Sequence, residues 1–342
     1  MRFSNFHRAF LTNLERVYHA PDFVNAPRGF ASRERLNVHW TLTDPMQRVC
    51  FLPARKTNIV FNFAEALWYL SADDTLAFIA YYAKRLARYT MNGLTLTGTA
   101  YGPRIFAFGP NRINQWDRVV ELLSRQDPDS KRAFIQIFSA EERLSTDNID
   151  VACTLGLQFF VRKGELHAAA AMRANDAFRG VVTDVFSFTF LHELMARQLG
   201  LAVGSYHHSA ASFHTYDEDN AQIQRVLREA TNGARRARFR FPEMPAGDNW
   251  PYVRVVLDFE KRLRLGELDL TLEDVEASGL PAYWQQVVLL FGLYRQVAVE
   301  QQRPDPDLWS SLWPMYQYLF EHRWPETVSR EEASSALSAP VL

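Results

Sequence analysis

The fold is decided by the segment Asp150-Val-Ala-Cys153-Thr-Leu-Gly-Leu-Gln158-Phe159. A polar stretch precedes the segment, and its apolar part predicts a strand over Leu155 to Val161. Arg162-Lys163-Gly164 then predicts a hairpin turn into a second strand, Glu165 to Met172. One cysteine, Cys153, therefore stands at the mouth of a strand, where its side chain can point into a cleft.

The elements around this hairpin predict one mixed sheet with helices on it, an α/β or α+β fold. Asp184 to Leu199 is apolar nearly all round, which is typical of a buried central helix, and Leu201 to Tyr216 predicts a long strand. Helices are further predicted at Asn58–Leu70, Asp73–Tyr89, Arg112–Gln126, Ala282–Arg295 and Leu308–His322, with a strand at Ala133–Ser139.

The composition indicates a globular protein of the cytoplasm. The 342 residues give ample length for a core, and 38 basic against 39 acidic residues leave no basic field for a nucleic-acid polymer. Two cysteines exclude a disulfide framework. The N-terminus carries charges throughout, and no run reaches the roughly 18 apolar residues of a membrane span. No metal site is expected.

Cys153 is the candidate nucleophile. A cysteine attacks as the thiolate, which needs nearby positive charge, and Arg173 lies on the partner strand of the hairpin. The alternative is a small buried core residue, the usual state of a free cysteine and the expectation for Cys50. Arg173 interrupts a strand of Ala and Met, so its charge is expected to be partly buried and to bind an anion such as phosphate.

Glu65 is the candidate for proton transfer. It sits among the aromatic and aliphatic residues of a predicted helix, Asn58 to Leu70. A carboxyl group in such surroundings is either capped by a partner or raised in pKa for acid–base work. The alternative is a solvated residue on the outer face of the helix.

Six ordered blocks between about Ala26 and Asn220 resemble the thymidylate synthase superfamily. They are Glu65-x2-Trp68-x-Leu, Tyr101-Gly102, Asp127-Pro-Asp-Ser-Lys-Arg132, Cys153-x4-Gln158-Phe, Arg173-x-x-Asp176-x3-Gly180 and Gly204-x9-His214-x-Tyr216. A lone Cys-x4-Gln would be weak, whereas the ordered set is highly specific. The resemblance implies a thymidylate synthase-like mixed sheet with surrounding helices, and the helical region after about Ala282 has no counterpart in it.

The resemblance also implies roles. Cys153 adds to C6 of a pyrimidine nucleotide and makes C5 nucleophilic, while Glu65 and Tyr101 manage protons around C5 and C4. The co-substrate 5,10-methylenetetrahydrofolate supplies a one-carbon unit, and Pro340-Val-Leu342 closes over it. The substrate-binding residues are Arg28 and Arg173 on the 5'-phosphate, Lys131 and Arg132 on the phosphate from the other subunit of a homodimer, His214 and Tyr216 on the 3'-hydroxyl, and Gln158, Ala174, Asp176 and Asp184.

Asp184 stands where thymidylate synthases carry asparagine. An amide accepts from N3–H and donates to O4 of uracil, whereas cytosine offers an acceptor at N3 and a donor at N4. A carboxylate accepts from the amino group, and a shared proton lets it bond N3 as well. Aspartate is therefore expected to select cytosine, as in the phage-type deoxycytidylate hydroxymethylases of this family. The alternative role is a helix N-cap.

Other departures concern the one-carbon unit and the sugar. Thr154 and Ala152 replace the histidine and proline that flank the nucleophile, and the tryptophans near the folate are missing around Leu86 to Thr90. Weaker shielding suits water capture, which gives a 5-hydroxymethyl group and tetrahydrofolate. Ala174 and Lys131 replace serine and arginine and leave room for a 2'-hydroxyl.

These departures predict a CMP 5-hydroxymethyltransferase, similar to the mildiomycin-type enzymes of nucleoside-antibiotic biosynthesis. Deoxycytidylate is the alternative substrate. The rivals are a true thymidylate synthase acting on dUMP and a catalytically silent nucleotide-binding relative. We expect a catalytic domain over residues 1–270 and a helical extension with its tail, residues 271–342, packed on the same domain.

Overall fold

The computed structural model describes residues 1–143, 147–233 and 239–328. In these residues one 7-stranded mixed sheet has the order β1-β3-β7-β6-β5-β4, with β2 paired to β3. The β1–β3 and β6–β7 pairs are parallel and the others antiparallel. The strands are β1 (Arg2–Phe3), β2 (Phe23–Asn25), β3 (Ser32–Leu42), β4 (Phe134–Gln136), β5 (Thr154–Arg162), β6 (Glu165–Asp176) and β7 (Ala202–Tyr216).

Helices surround this sheet, which confirms the α/β (α+β) class. They are α1 (Phe6–His19), α2 (Ile59–Leu70), α3 (Leu76–Tyr82), α4 (Tyr101–Phe106), α5 (Gln115–Glu121), α6 (Gly180–Gln198), α7 (Asn220–Thr231), α8 (Trp250–Leu265), α9 (Leu272–Ala277), α10 (Ala282–Tyr294), α11 (Pro306–Ser311), α12 (Pro314–Arg323) and α13 (Pro325–Val328). Among the described helices, none combines the length and the apolar character that crossing a membrane requires.

The β5–β6 hairpin is followed directly by helix α6. Lys163 and Gly164 form the hairpin turn with φ of 54° and 77°, the left-handed pair that matches strand twist. Helix α6 connects the parallel strands β6 and β7 and packs on both. Its apolar residues are buried nearly all round, because the helix lies between the sheet and other helices.

Three predicted helices have different boundaries in the structure. Arg112 has φ of 49°, so α5 begins only at Gln115, after the side chain of Asn114 caps the Asp117 N–H. Pro314 has no N–H and disfavours a helical residue before it, so the helix predicted over Leu308–His322 is split into α11 and α12. The predicted helix at Asp73–Tyr89 is likewise split, into α3 and a 3₁₀ segment at Lys84–Tyr89.

The chain divides into two compact units, residues 1–55 with 61–249, and residues 56–60 with the chain from Trp250 onward. The second unit is helical, and α8, α9 and α11 pack on the buried α10. Gln286 of α10 donates to the Ser311 carbonyl and accepts from the Trp313 N–H at 2.8 and 2.7 Å. The expected domain division at residue 270 stays a prediction.

The core of the first unit contains a buried ion pair. Arg48 and Glu193 are both fully buried, and Nη2 of the arginine lies 2.5 Å from Oε2 of the glutamate. The other carboxylate oxygen accepts from the Met244 N–H at 2.7 Å. Glu193 therefore joins α6 to the segments that carry Arg48 and Met244. Removing one partner of the ion pair would leave a buried charge uncompensated.

Candidate active site

Cys153 and Arg173 lie side by side at the start of the β5–β6 hairpin. The Arg173 N–H donates to the Cys153 carbonyl at 2.8 Å, and Nη2 lies 3.7 Å from Sγ. The guanidinium also donates from Nε to the Ala152 carbonyl and from Nη2 to the Val151 carbonyl, each at 2.8 Å. Four contacts therefore fix the arginine against the segment that carries the thiol.

Arg173 itself is exposed, so the partial burial predicted from its Ala-rich strand was wrong. The pairing of β6 with β5 ends at Met172 and Thr154, and beyond that point no β5 residue covers the arginine. An exposed guanidinium that is already oriented by backbone carbonyls is suited to receive an anion from solvent.

Burial raises the pKa of the Cys153 thiol above its ordinary value of 9.0. The charge of Arg173 is the largest influence that lowers it, and Arg28 acts in the same direction, whereas Asp184 and Asp150 raise it further. The positive charge that a nucleophilic cysteine needs is thus present, but burial outweighs it in the free protein. The thiol must therefore lose its proton when the reaction begins.

The loop behind Cys153 contains an acidic residue that the sequence did not single out. The Asp150 carboxylate accepts from the N–H groups of Thr97 and Gly98, at 2.8 and 3.0 Å, and from the Thr99 hydroxyl. A Cβ at Gly98 would lie 2.1 Å from the Asp150 carbonyl oxygen, so only glycine permits this approach. Thr97, Gly98 and Thr99 come just before α4, so the Asp150 contacts tie the strand mouth to the start of that helix.

Tyr101, the first residue of α4, is held beside the nucleophile strand. The Thr154 hydroxyl donates to the Tyr101 phenol oxygen at 3.1 Å, and the Tyr69 ring stacks on Tyr101 at 4.9 Å. Burial raises the pKa of Tyr101 well above 10, with Asp184 and Cys153 adding to the effect. The phenol therefore keeps its proton and acts as a neutral hydrogen-bonding group.

Glu65 lies on α2 and faces inward, so the solvated alternative was wrong. Only 6% of the residue is exposed, and the Ser187 hydroxyl of α6 donates to Oε2 at 3.1 Å. Burial raises the pKa of Glu65 from 4.5 to about 7, against hydrogen bonds from Ser187 and Thr183 that lower it. A carboxyl group that titrates near neutral pH is suited to move a proton.

Asp184 lies in the second turn of α6, which begins at Gly180, so the N-cap alternative was wrong. Asn175 of β6 donates from Nδ2 to Oδ2 of Asp184 at 2.6 Å. Burial raises the pKa of Asp184 well above 3.8, and the charge of Glu65 raises it further. The side chain is half-buried, and the raised pKa favours the protonated form, which offers one donor and one acceptor.

The end of β7 and the turn before β3 form a polar corner near the thiol. Arg28 has φ of 55° and hydrogen-bonds Tyr216, and its charge reaches Cys153. Asp176 pairs in register with His214, whose Nδ1 lies 3.2 Å from the Ser212 hydroxyl. The structure thus brings Arg28 and Arg173, the two arginines assigned to the phosphate within one subunit, and both sugar-assigned residues to the strand ends around Cys153.

The other predicted site residues occupy strands and one loop. Asp176 accepts from the N–H groups of Phe178 and Arg179 at 2.8 Å each, which holds the turn into α6. Ala174 is half-buried and pairs in register with Ser212. Gln158 of β5 donates to the Lys131 carbonyl at 2.8 Å. The side chains of Lys131 and Arg132 are exposed, and Pro340-Val-Leu342 falls outside the described residues.

A family comparison bears directly on this arrangement, because the thymidylate synthase family model matches residues 19–247. The chain belongs to the thymidylate synthase family. The resemblance inferred from the ordered blocks is thereby confirmed, and the matched range contains every predicted catalytic and nucleotide-binding residue.

Several relatives of this thymidylate synthase family member are named deoxyuridylate hydroxymethyltransferase. The protein of Bacillus phage SP01 is 30% identical over 208 residues, covering 57% of this chain and 53% of its own. That of Delftia phage PhiW-14 is 29% identical, covering 56% and 55%, and that of Pseudomonas phage M6 is 29% identical, covering 51% and 49%. The chain spans about half the length of these curated relatives. Each of these relatives is named for hydroxymethyl transfer to deoxyuridylate, whose base is uracil.

Proposed function

We propose that this chain transfers a one-carbon unit from 5,10-methylenetetrahydrofolate to C5 of cytidine 5'-monophosphate (CMP). Water captures the unit, and the products are 5-hydroxymethyl-CMP and tetrahydrofolate. The observation that carries the proposal is Asp184, a carboxyl group whose raised pKa favours the protonated form and whose charge influences the pKa of the Cys153 thiol. The product suits a role in nucleoside-antibiotic biosynthesis, which is part of the same proposal.

The proposed chemistry begins with the sulfur of Cys153. The thiolate bonds to C6 and the electron pair of the ring double bond moves toward N3, where the proton of Asp184 neutralises it. C5 then bonds to the one-carbon unit, and Glu65 takes the proton that C5 releases. The bonds from this carbon to the folate nitrogens break, tetrahydrofolate leaves, and an exocyclic methylene remains at C5. Water adds its oxygen to the methylene carbon, and the folate nitrogens gain the two protons that C5 and water release. The sulfur then leaves C6 as the thiolate while N3 returns its proton to Asp184, which restores the ring. The folate supplies its carbon at the oxidation level of formaldehyde, so no oxidant or reductant is consumed.

The choice of cytosine rests on the proton of Asp184. Cytosine accepts at N3 and donates from N4, and a neutral carboxyl group can match this pair with its hydroxyl and its carbonyl oxygen. Uracil reverses both roles, since N3 donates and O4 accepts. A mismatched buried polar edge costs a site several orders of magnitude in discrimination. Selection therefore depends on which oxygen of Asp184 carries the proton.

The choice of ribose rests on the corner around Ala174. Ala174 is the register partner of Ser212. The Ser212 hydroxyl donates to the Glu34 carboxylate and lies within hydrogen-bond distance of Nδ1 of His214. A serine at position 174 would place a second hydroxyl there, whereas alanine leaves room for the 2'-hydroxyl of CMP. Alanine at position 174 and lysine at position 131 together support CMP over dCMP.

A homodimer belongs to the same proposal. Lys131 and Arg132 are exposed, and in the described residues neither forms an ion pair. Sheet residues Leu36, Phe134 and Leu155 are 51%, 42% and 39% exposed, although strand residues of this kind usually pack against another layer. A second copy would cover this apolar surface and would receive the two cations at its phosphate site.

Mass spectrometry of the nucleotide product tests the reaction. CMP incubated with protein and methylenetetrahydrofolate should gain CH2O, whereas a gain of CH2 would mean methylation and would overturn water capture. Cys153→Ser should abolish product and the release of tritium from C5-labelled CMP, while Cys50→Ala keeps both. Absence of tritium release from the wild type would favour the silent nucleotide-binding relative.

The second candidate is hydroxymethylation of dUMP, which the names of the phage relatives favour. A neutral Asp184 with its proton on the other oxygen would match uracil. Offering CMP, dCMP, UMP and dUMP separately, with the same product assay, decides between the candidates. A preference for dUMP would reject the proposed substrate but leave the one-carbon chemistry in place.

A further inference from the structure

A buried chain of hydrogen bonds runs from the middle of β7 to Asp184. Tyr206 O–H meets Nδ1 of His208 at 2.9 Å, Nε2 of His208 meets Oδ1 of Asn175 at 3.0 Å, and Nδ2 of Asn175 donates to Oδ2 of Asp184 at 2.6 Å. The first three residues are each at most 2% exposed. The Trp40 ring stacks on His208 at 4.8 Å, which fixes the imidazole plane.

The directions of the other bonds in this chain follow from the orientation of the Asn175 amide. Because Asn175 donates from Nδ2 to Asp184, its Oδ1 is the acceptor that faces His208. Nε2 of His208 is therefore the protonated nitrogen, and Nδ1 is left to accept from the Tyr206 hydroxyl. All three donors point toward Asp184, so Oδ2 is held as an acceptor.

Neither His208 nor Tyr206 changes its protonation state near neutral pH, so the donor and acceptor roles in the chain stay the same. Burial lowers the pKa of His208 to about 3, so the imidazole is neutral and has one donor and one acceptor nitrogen. Burial raises the pKa of Tyr206 well above 10, so its hydroxyl keeps the proton that starts the chain. A neutral Asp184 then carries its own proton on Oδ1, the oxygen that makes no hydrogen bond within the described residues.

We propose that Tyr206, His208 and Asn175 are positioning residues that set the base specificity of the site by fixing Asp184 Oδ2 as acceptor and Oδ1 as donor. This inference rests on the proposed function, because the donor at Oδ1 is the group that would meet N3 of cytosine. Reversing the direction of these hydrogen bonds would turn Oδ2 into a donor toward Asn175. Oδ1 would then be left to accept, which is the pattern that N3–H of uracil needs.

Tyr206→Phe tests the inference, because it removes the hydroxyl that determines the tautomer of His208. Nδ1 then has no donor to accept from, and the imidazole and the Asn175 amide are free to adopt the reversed order. We expect the CMP-to-UMP ratio of kcat/KM to fall roughly tenfold, the effect of one misdirected hydrogen bond. A ratio measured on one preparation is independent of the fraction of folded protein.

Two variants accompany this one. Asn175→Ala removes the donor to Asp184 directly, so the ratio should fall at least as far, and it replaces Tyr206→Phe if that protein does not fold. Tyr18→Phe is the matched control, because it deletes another buried phenol hydroxyl, bonded to Gln224 at 2.9 Å, outside the chain. Its ratio should equal that of the wild type.

Binding in the absence of folate separates this inference from the proposed function. Calorimetric Kd values for CMP and UMP should show a preference for CMP in the wild type that shrinks in Tyr206→Phe and Asn175→Ala. A wild type that binds UMP as tightly as CMP would reject the proposed substrate. A wild type that prefers CMP, with both variants keeping its ratio, would reject the positioning role alone.

Discussion

Replacing Asp184 by asparagine removes an acidic proton while keeping the shape of the side chain. The amide can still accept from Asn175, whose Nδ2 lies 2.6 Å from Oδ2 in the wild type. It can still place an N–H donor where the carboxylic acid has its hydroxyl. It cannot give up that proton to N3 when Cys153 adds to C6, because an amide is not an acid at neutral pH.

The size of the effect follows from this lost proton transfer. Positioned proton transfer contributes roughly 10² to 10⁴ in rate, and cytosine depends on it because its N3 carries no proton of its own. Uracil already has a proton on N3, and the amide of Asp184→Asn can donate to O4. We therefore expect kcat/KM for CMP to fall about a hundredfold or more, with a much smaller change for UMP.

The assay measures kcat/KM for CMP and UMP on the same preparation, with product identified by its mass. Asp258→Asn is the control, because Asp258 lies on α8 and its ion pair with Arg262, at 3.6 Å, is exposed. A CMP-to-UMP ratio in Asp184→Asn within threefold of the wild type would refute the role of Asp184 as proton donor to N3.

Three further predictions concern the thiol, the base and the core. Alkylation of Cys153 by iodoacetamide should accelerate with pH and reach half of its limiting rate above pH 9, because burial raises the pKa of the thiol; a midpoint below 8 would contradict this. The kcat/KM of the wild type should rise as pH increases through about 7, and Glu65→Gln should remove that rise. Glu193→Gln leaves the buried Arg48 charge unpaired, so urea unfolding should show a loss of about 3–5 kcal/mol. Arg240→Ala breaks an exposed pair and should cost no more than about 1 kcal/mol.

The sequence predicted the sheet because its signals are local. Strand β5, the turn at Lys163 and Gly164, and the central helix α6 each follow from residues close together in the chain. Helix boundaries were less predictable, since Arg112 adopts a left-handed conformation that its side chain does not announce. Pro314 was visible in the sequence, and its effect on the preceding residue could have divided the last long helix.

The electrostatics of the site could not be predicted in the same way. Helical periodicity places Glu65 on one face of its helix but does not say whether that face meets solvent or α6. The structure shows that it meets α6, because Ser187 of that helix donates to the Glu65 carboxylate. Likewise the hydrogen-bonded chain from Tyr206 to Asp184 joins residues of β7, β6 and α6, which come together because β6 and β7 are neighbouring parallel strands. Such contacts depend on strand order, which periodicity does not contain.

The division of acid and base roles follows from the environments of two neighbouring carboxyl groups. Glu65 receives hydrogen bonds from the Ser187 and Thr183 hydroxyls, which favour its ionised form and keep its pKa at about 7. Asp184 is half-buried, and both its burial and the charge of an ionised Glu65 raise its pKa. We therefore assign Glu65 the role of base, because its hydrogen bonds favour the ionised form, and Asp184 the role of acid, because burial and the charge of Glu65 favour the protonated form. Because the field of Glu65 is part of what keeps Asp184 protonated, Glu65→Gln should lower the pKa of Asp184 as well as remove the base.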